Sequence, residues 1–201
     1  MEPLNHRREA NIFRHMKTSR FLLLLTAVFV VIASQAKAQS ASNYFLKIEG
    51  IPGESFDETH RGEIEVLAVA LGVLQPQLQR FAGGGASASK TEISPITITK
   101  PVDKSSPLLF LNCATGKRLP TATITARKLG EAAYDYFTIT LSDVLISSLS
   151  QSASEGGITE AVSLSFSKLT LTYVPQNPDG RPGTPITSSF DLKANKPFTS
   201  Q

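Results

Sequence analysis

Residues 161–174, Ala-Val-Ser-Leu-Ser-Phe-Ser-Lys-Leu-Thr-Leu-Thr-Tyr-Val, decide how this chain is read. Leu164 and Phe166 fall at even positions, whereas Leu169, Leu171 and Tyr173 fall at odd ones, so the apolar–polar alternation of a half-buried strand changes phase at Ser167-Lys168. One extra residue there, a bulge, bends the strand and lets it serve two sheets. The same alternation recurs on either side. Tyr44–Gly50 alternates and stops at a Gly-Ile-Pro-Gly turn, and Thr91–Lys100 alternates with Pro95 confining its first half to an edge. Thr121–Leu129, Ala133–Leu141 (Phe137, Ile139 and Leu141 on one face), Val144–Ser150 and Thr187–Lys193 complete the series. Glu63–Val73 starts with Ile64 and Val66 inward and then becomes apolar on both faces, as a strand covered on both sides does. Residues 51–62 read as a long exposed loop, 175–185 as a turn-rich loop and Phe81–Ser89 as a flexible linker. The single helix is expected over 106–116, with Ser106 (or Ser105) as its cap, Pro107 in its first turn, Gly116 as its left-handed stop and Leu108 and Leu111 on one face. About eight strands and one short helix make a mainly β protein, a two-sheet sandwich or closed barrel.

The chain has 201 residues, 41% hydrophobic and 18% charged, which suits one packed domain and excludes a disordered polyelectrolyte or a multispan membrane protein. Its net charge of +3 is unevenly placed: the first 38 residues hold 6 Lys/Arg against 2 acids, leaving 14 against 15 from Gln39 onward. The domain itself is therefore near neutral and offers no basic footprint for nucleic acid. Cys113 is the one cysteine, so no intramolecular disulfide can form.

Phe21–Ala33 is a run of 13 apolar residues between Lys17/Arg20 and the small-x-small triplet Ala36-Lys37-Ala38. It is short for a membrane span of about 20 residues. Positive flank, apolar middle and small-residue end are the parts of a secretory signal peptide, with cleavage before Gln39. Residues 1–38 are thus expected to be a signal and 39–201 the folded domain; starting at Met16 gives a signal of ordinary length, and an uncleaved anchor is the alternative. Contact with a membrane is expected only through this segment.

Chemistry-bearing patterns are scarce. Gly84–Thr91 nearly spells a phosphate-binding loop, but Ser89 stands where the second glycine is required and a strand follows, so no helix N-terminus awaits a phosphate. His60 is the one histidine after the signal and reads as a solvated loop residue beside Asp57 and Glu58. No nucleophile elbow accompanies it, and Cys113 reads as an inert thiol in the helix. No catalytic, cofactor-binding or metal site is expected, and the chain is not expected to be an enzyme.

Taken in order, several stretches resemble the haemolysin-coregulated protein (Hcp) family, the tube protein of bacterial type VI secretion. They are Tyr44-Phe-Leu-Lys-Ile, Gly53-Glu-Ser, Thr59-His60, Glu63-Ile-Glu-Val-Leu-Ala68, Gly83-Gly-Gly, Thr99-Lys100 and Asp103-Lys-Ser-Ser-Pro107. Cys113-x-x-Gly116-Lys117, Ala126-Arg127-Lys128, Tyr136-Phe-Thr-Ile-Thr-Leu141, Val144-Leu-Ile-Ser-Ser148 and Tyr173-x-Pro175-Gln176 continue the series. The resemblance implies a two-sheet β-barrel with a flanking helix that assembles as a homo-oligomer. Hexameric rings would stack into a tube, meeting a secretion tip and effector proteins held in the lumen. On that implication the polar loop supplies the ring-stacking contacts through Glu54, Asp57, Glu58, His60 and Arg61, and Leu67, Val69 and Leu71, opposite Ile64, Val66 and Ala68, build the subunit interface. A leading signal departs from the family pattern and points to a periplasmic or exported relative. The reading from another class is an exported monomeric β-barrel, an adhesin or ligand-binding module that reuses the fold.

Intact mass or N-terminal sequencing of protein from its host should place the first residue at or near Gln39; retention of Phe21–Ala33 would show an anchor instead.

Overall fold

The computed structural model describes residues 44–75, 91–130 and 133–199. The signal and the 81–89 linker, with the phosphate-loop-like Gly84–Lys90, lie outside the described residues. The described chain is a β-barrel with one helix. Its strands are β1 (Tyr44–Ile48), β2 (Ile64–Val66), β3 (Ala68–Ala70), β4 (Val73–Leu74), β5 (Glu92–Ile93), β6 (Ile96–Pro101), β7 (Arg118–Lys128), β8 (Tyr134–Ser154), β9 (Gly157–Ser165), β10 (Lys168–Tyr173), β11 (Ile186–Asp191) and β12 (Lys196–Pro197). The helix α1 (Ser106–Thr115) lies between β6 and β7.

Every pairing is antiparallel and runs β12-β11-β10-β8-β7-β1-β2, while β8 also pairs with β9, β9 with β6 and β6 with β3. The circuit closes at Leu67, between β2 and β3, whose backbone N–H donates to the Thr99 carbonyl on β6. Two wall sections share the bent strands at their corners, the arrangement that lets sheets meet at an angle without open seams. Leu46, Ile48, Ile64, Val66, Ile98, Ile124, Leu141, Val162 and Leu164 fill the interior from every side.

Strand boundaries differ from expectation at the corners. The two strands expected over 133–150 are one strand of 21 residues, because the chain turns at Asp143 (φ 55°) without breaking its pairing with β7. At Ser167 the alternation changes phase as anticipated, but through a break between β9 and β10 and not an inserted residue in one strand. The Ser167 N–H donates to Ser142 O, and its hydroxyl donates to Asp143 Oδ2 over 2.5 Å. Arg118 (2.9 Å) and Lys193 (2.7 Å) meet the same carboxylate, so β7, β8, β10 and the turn after β11 are tied at one residue. These hydrogen bonds, that from Lys193 foremost, hold the Asp143 carboxyl well below the usual carboxylate range. Glu63–Val73 is likewise broken, at Leu67 and again before β4, because its first part pairs with β1 and its second with β6. Thr91–Lys100 divides at Pro95, and β5 pairs only with β4. Tyr173 keeps the inward parity of Leu169 and Leu171 but stands at the barrel rim, 47% exposed. It belongs to a row Tyr44–Ala126–Phe137–Tyr173–Ile186 that crosses five strands. β12 carried no sequence signal of its own.

The helix has the expected bounds but not the expected cap. Its N-cap is Ser105, with no side-chain capping bond, while Gly116 (φ 62°) closes the other end through Gly116 N–H to Cys113 O and Lys117 N–H to Asn112 O. Leu109 is the buried leucine; Leu108 and Leu111 face outward with Phe110, and Cys113 is half-buried against the core. Ser106 is withdrawn from capping by a network inside the barrel. Lys100 and Glu160 are both completely buried and pair across β6 and β9 at 2.8 Å. The Lys100 ammonium also meets Asp103 Oδ1 (2.8 Å), Pro101 O (2.7 Å) and Ser106 Oγ (3.1 Å). The Ser106 hydroxyl donates to Glu160 Oε2 (2.7 Å) and accepts from the Asp103 N–H, and Gln151 donates to Glu160 Oε1 (2.7 Å). Burial alone would raise the Glu160 carboxyl, but the hydrogen bonds from Lys100, Gln151 and Ser106 outweigh it and hold it below its usual range.

Glu160→Gln should destabilise the domain by about 2 kcal/mol, because the buried ammonium loses one of its two carboxylate partners and keeps only Asp103. Lys100→Met with Glu160→Leu should recover most of that loss, as read from urea midpoints; equal losses in single and double variants would show that the pair is not coupled. Asp143 and Glu160 both ionise more readily in the folded state, so the unfolded chain binds more protons in acid. Their stabilisation should be complete above about pH 5 and disappear as the pH falls through the ordinary carboxylate pKa near 4 towards their depressed values. Thermal midpoints at a series of pH values should show this decline, flattened in Asp143→Asn.

Candidate functional site

Residues 51–62 leave β1 and return to β2 without regular structure, yet they are not the solvated loop expected from their polarity. Gly53 N–H donates to Gly62 O, Ser55 N–H to Glu63 O and Gly62 N–H to Ser55 O, which folds the segment back on the start of β2. Gly53 is needed for this approach: a Cβ there would lie 2.2 Å from the Glu63 carbonyl oxygen. Ile51, Ser55 and His60 are buried.

His60 corrects the expectation most sharply, being 5% exposed. Its ring stacks on Phe45 of β1 with centroids 4.3 Å apart and planes 10° from parallel. Nδ1 lies 2.9 Å from Glu63 Oε2 and Nε2 lies 3.0 Å from Asp135 Oδ1 on β8. Arg127 on β7 meets Asp135 Oδ1 at 2.8 Å and reaches towards Asp57 Oδ2 at 3.6 Å. Asp57 Oδ1 in turn accepts from the backbone N–H groups of Thr59 and His60. Burial opposes ionisation of Asp57, but these two N–H groups and the nearby Arg127 outweigh it and hold the carboxyl below its usual range. A cross-linked cluster thus pins the loop to three strands.

Of the five loop residues singled out from sequence, Glu54, Glu58 and Arg61 are exposed, Asp57 is half-buried and His60 is turned inward. The residue sequence reasoning passed over is Phe56, 84% exposed between two anchored neighbours. A lone Phe in an otherwise polar segment is the signal the sequence offers for it.

The apolar row Leu67, Val69, Leu71 does not share one face. Leu67 is 53% exposed, whereas Val69 and Leu71 pack partly on the barrel core and Ala68 points out. The switch of partner strand at Leu67 reverses the alternation, so Ile64 and Val66 before it, and Val69 and Leu71 after it, all face the core. Leu67 alone of the three stands clear. Other large apolar side chains on the surface include Leu108, Phe110 and Leu111 on α1 and the rim residues Tyr44, Tyr173 and Ile186. Among the described residues no helix is long and apolar enough to cross a membrane.

The comparisons with known proteins agree with one another. Residues 45–173 match the family model described as type VI secretion system effector, Hcp. The protein Hcp1 of Pseudomonas aeruginosa is 40% identical over 159 residues, which cover 77% of this chain and 98% of that protein. The crystal structure of Hcp1 from Salmonella typhimurium superposes with a TM-score of 0.64 at 35% identity, covering 77% of this chain and 97% of its own. A type VI secretion system effector from Yersinia pestis gives 0.60 at 32% identity, covering 74% and 98%. The matched region takes in the closed barrel, its helix and the clasped loop, and the chain belongs to the Hcp family of type VI secretion proteins.

Proposed function

We propose that this chain is the subunit of a hexameric ring, that the rings stack into a tube, and that the tube carries effector proteins in its lumen or at its tip. The role is structural. Residues 1–38 direct the chain across the inner membrane and are removed before Gln39, so assembly takes place in the periplasm or outside the cell.

The observation that carries this reading is the loop 51–62. In a member of a tube-forming family, a segment without regular structure is held rigid by buried side chains while Phe56, Glu54, Glu58 and Arg61 face outward. Aromatic and arginine side chains on a preorganised support are the usual anchors of protein interfaces, since little entropy is lost when they dock. Stacking of rings is assigned to these residues, with Asp57 and His60 holding their support. Closure of the ring is assigned to the surface around Leu67, with Val69 and Leu71 acting beneath it by shaping the β3 backbone.

Phe56→Ser with Glu58→Lys should leave rings intact and abolish tubes, because both side chains are exposed and neither supports the fold. Leu67→Asp should give monomers with an unchanged thermal midpoint. Electron microscopy and light scattering after size exclusion read both outcomes. Undiminished tubes in the first variant would remove the loop from the stacking contact, and rings in the second would remove Leu67 from the subunit interface. A wild-type protein that stays strictly monomeric at high concentration would favour a monomeric exported barrel.

A further inference from the structure

His60 is held at both ring nitrogens by carboxylates, and a carboxylate can only accept hydrogen bonds. Both contacts, at 2.9 and 3.0 Å, are hydrogen bonds together only when both nitrogens carry a proton, that is, when the ring is an imidazolium. We propose that His60 is a proton-operated clasp: protonated, it locks the loop 51–62 onto β2 and β8, and on losing a proton it releases the loop. The charges around it support this. Glu63 ahead of β2, Asp135 on β8 and Asp57 within the loop present three carboxylates, against the single guanidinium of Arg127 on β7. Phe45 on β1, stacked against the ring, contributes no charge. A neutral imidazole leaves three negative groups facing one positive, with a lone pair of the buried ring aimed at a carboxylate oxygen. The imidazolium restores near balance.

The consequence for assembly rests on the reading of this loop as the ring-stacking surface. Loss of an imidazolium proton is favoured as the pH rises, so a tube subunit of this design presents an ordered docking loop in acidic surroundings and a looser one in alkaline ones. The clasp acts through the loop's support and leaves Phe56 and its exposed neighbours chemically unchanged.

Backbone hydrogen exchange of residues 54–62 in the full chain, followed from about pH 5.5 to about pH 8.5 and expressed as protection factors, tests the clasp. Protection should fall by about tenfold or more across that range, in step with loss of the second ring proton of His60 seen by NMR. Amides of β7 and β8 should stay constant, and His60→Gln should give low, pH-independent protection of the loop. Constant loop protection in the wild type, or a fall that persists in His60→Gln, would overturn the proposal. Electron microscopy at the two ends of the range separates the two readings. Protection that falls while tubes persist establishes the clasp and removes the loop from stacking; constant protection with tubes intact removes the clasp alone.

Discussion

A barrel built from two wall sections needs strands that lie in both, and here the residues around Asp143 meet that need. β8 runs unbroken through Asp143 in a left-handed backbone conformation, while the strands alongside it, β9 and β10, break at Ser167. Without the Asp143 carboxylate shared by Ser167, Arg118 and Lys193, no side chain would tie the two sections at this corner, which would rest on backbone hydrogen bonds such as Ser167 N–H to Ser142 O. The second corner, at Leu67, uses backbone alone: one N–H bonded to Thr99 moves the chain from β1 to β6. The remaining features follow from these two bends. They decide which apolar side chains face inward, where α1 is carried and where the loop 51–62 begins and ends.

Two polar clusters are set into this frame. The Lys100–Glu160 network sits within the apolar interior, and each of its polar atoms is partnered, which is the condition for tolerating buried charge. Such a network favours one strand register over its neighbours, since a slip of one residue would send both charges to the outer face. The His60 cluster lies on the outside of the wall, under the loop. One fixes the barrel; the other fixes what the barrel displays.

Much of the fold was legible in the sequence, because alternation is a local property and nine or ten residues suffice to show it. The reversal of phase between Phe166 and Leu169 gave away a corner, and Pro107 and Gly116 bounded the helix. The corner at Leu67 was hidden by its own composition: Leu-Ala-Val-Ala-Leu is apolar at every position, so a reversed alternation reads as a strand buried on both faces. Lys100 and Glu160 stand at the inward positions of their strands, in phase with Ile98 and Val162, and that parity was the available signal for a buried pair. His60 could not be assigned in this way. Its partner Asp135 lies 75 residues away, and only the completed sheet brings it alongside. Ser106 has the right residue type for a cap but stands one position inside the helix, and its hydroxyl is taken up by Lys100, Glu160 and the Asp103 N–H.

The closed circuit of strands also sets the order in which this chain can become a protein. β1 pairs with β7, some seventy residues later, and β6 pairs with β9 across the whole of α1, β7 and β8. The contacts that complete the wall are therefore remote in sequence, and topologies of this kind fold slowly because loop closure must precede most of the energetic gain. Until β8 and β9 are present, the earlier strands have no complete partners to close upon. On the proposed export route the chain would stay open for as long as its C-terminal third is missing, and a translocation channel that accepts only extended polypeptide would need that delay.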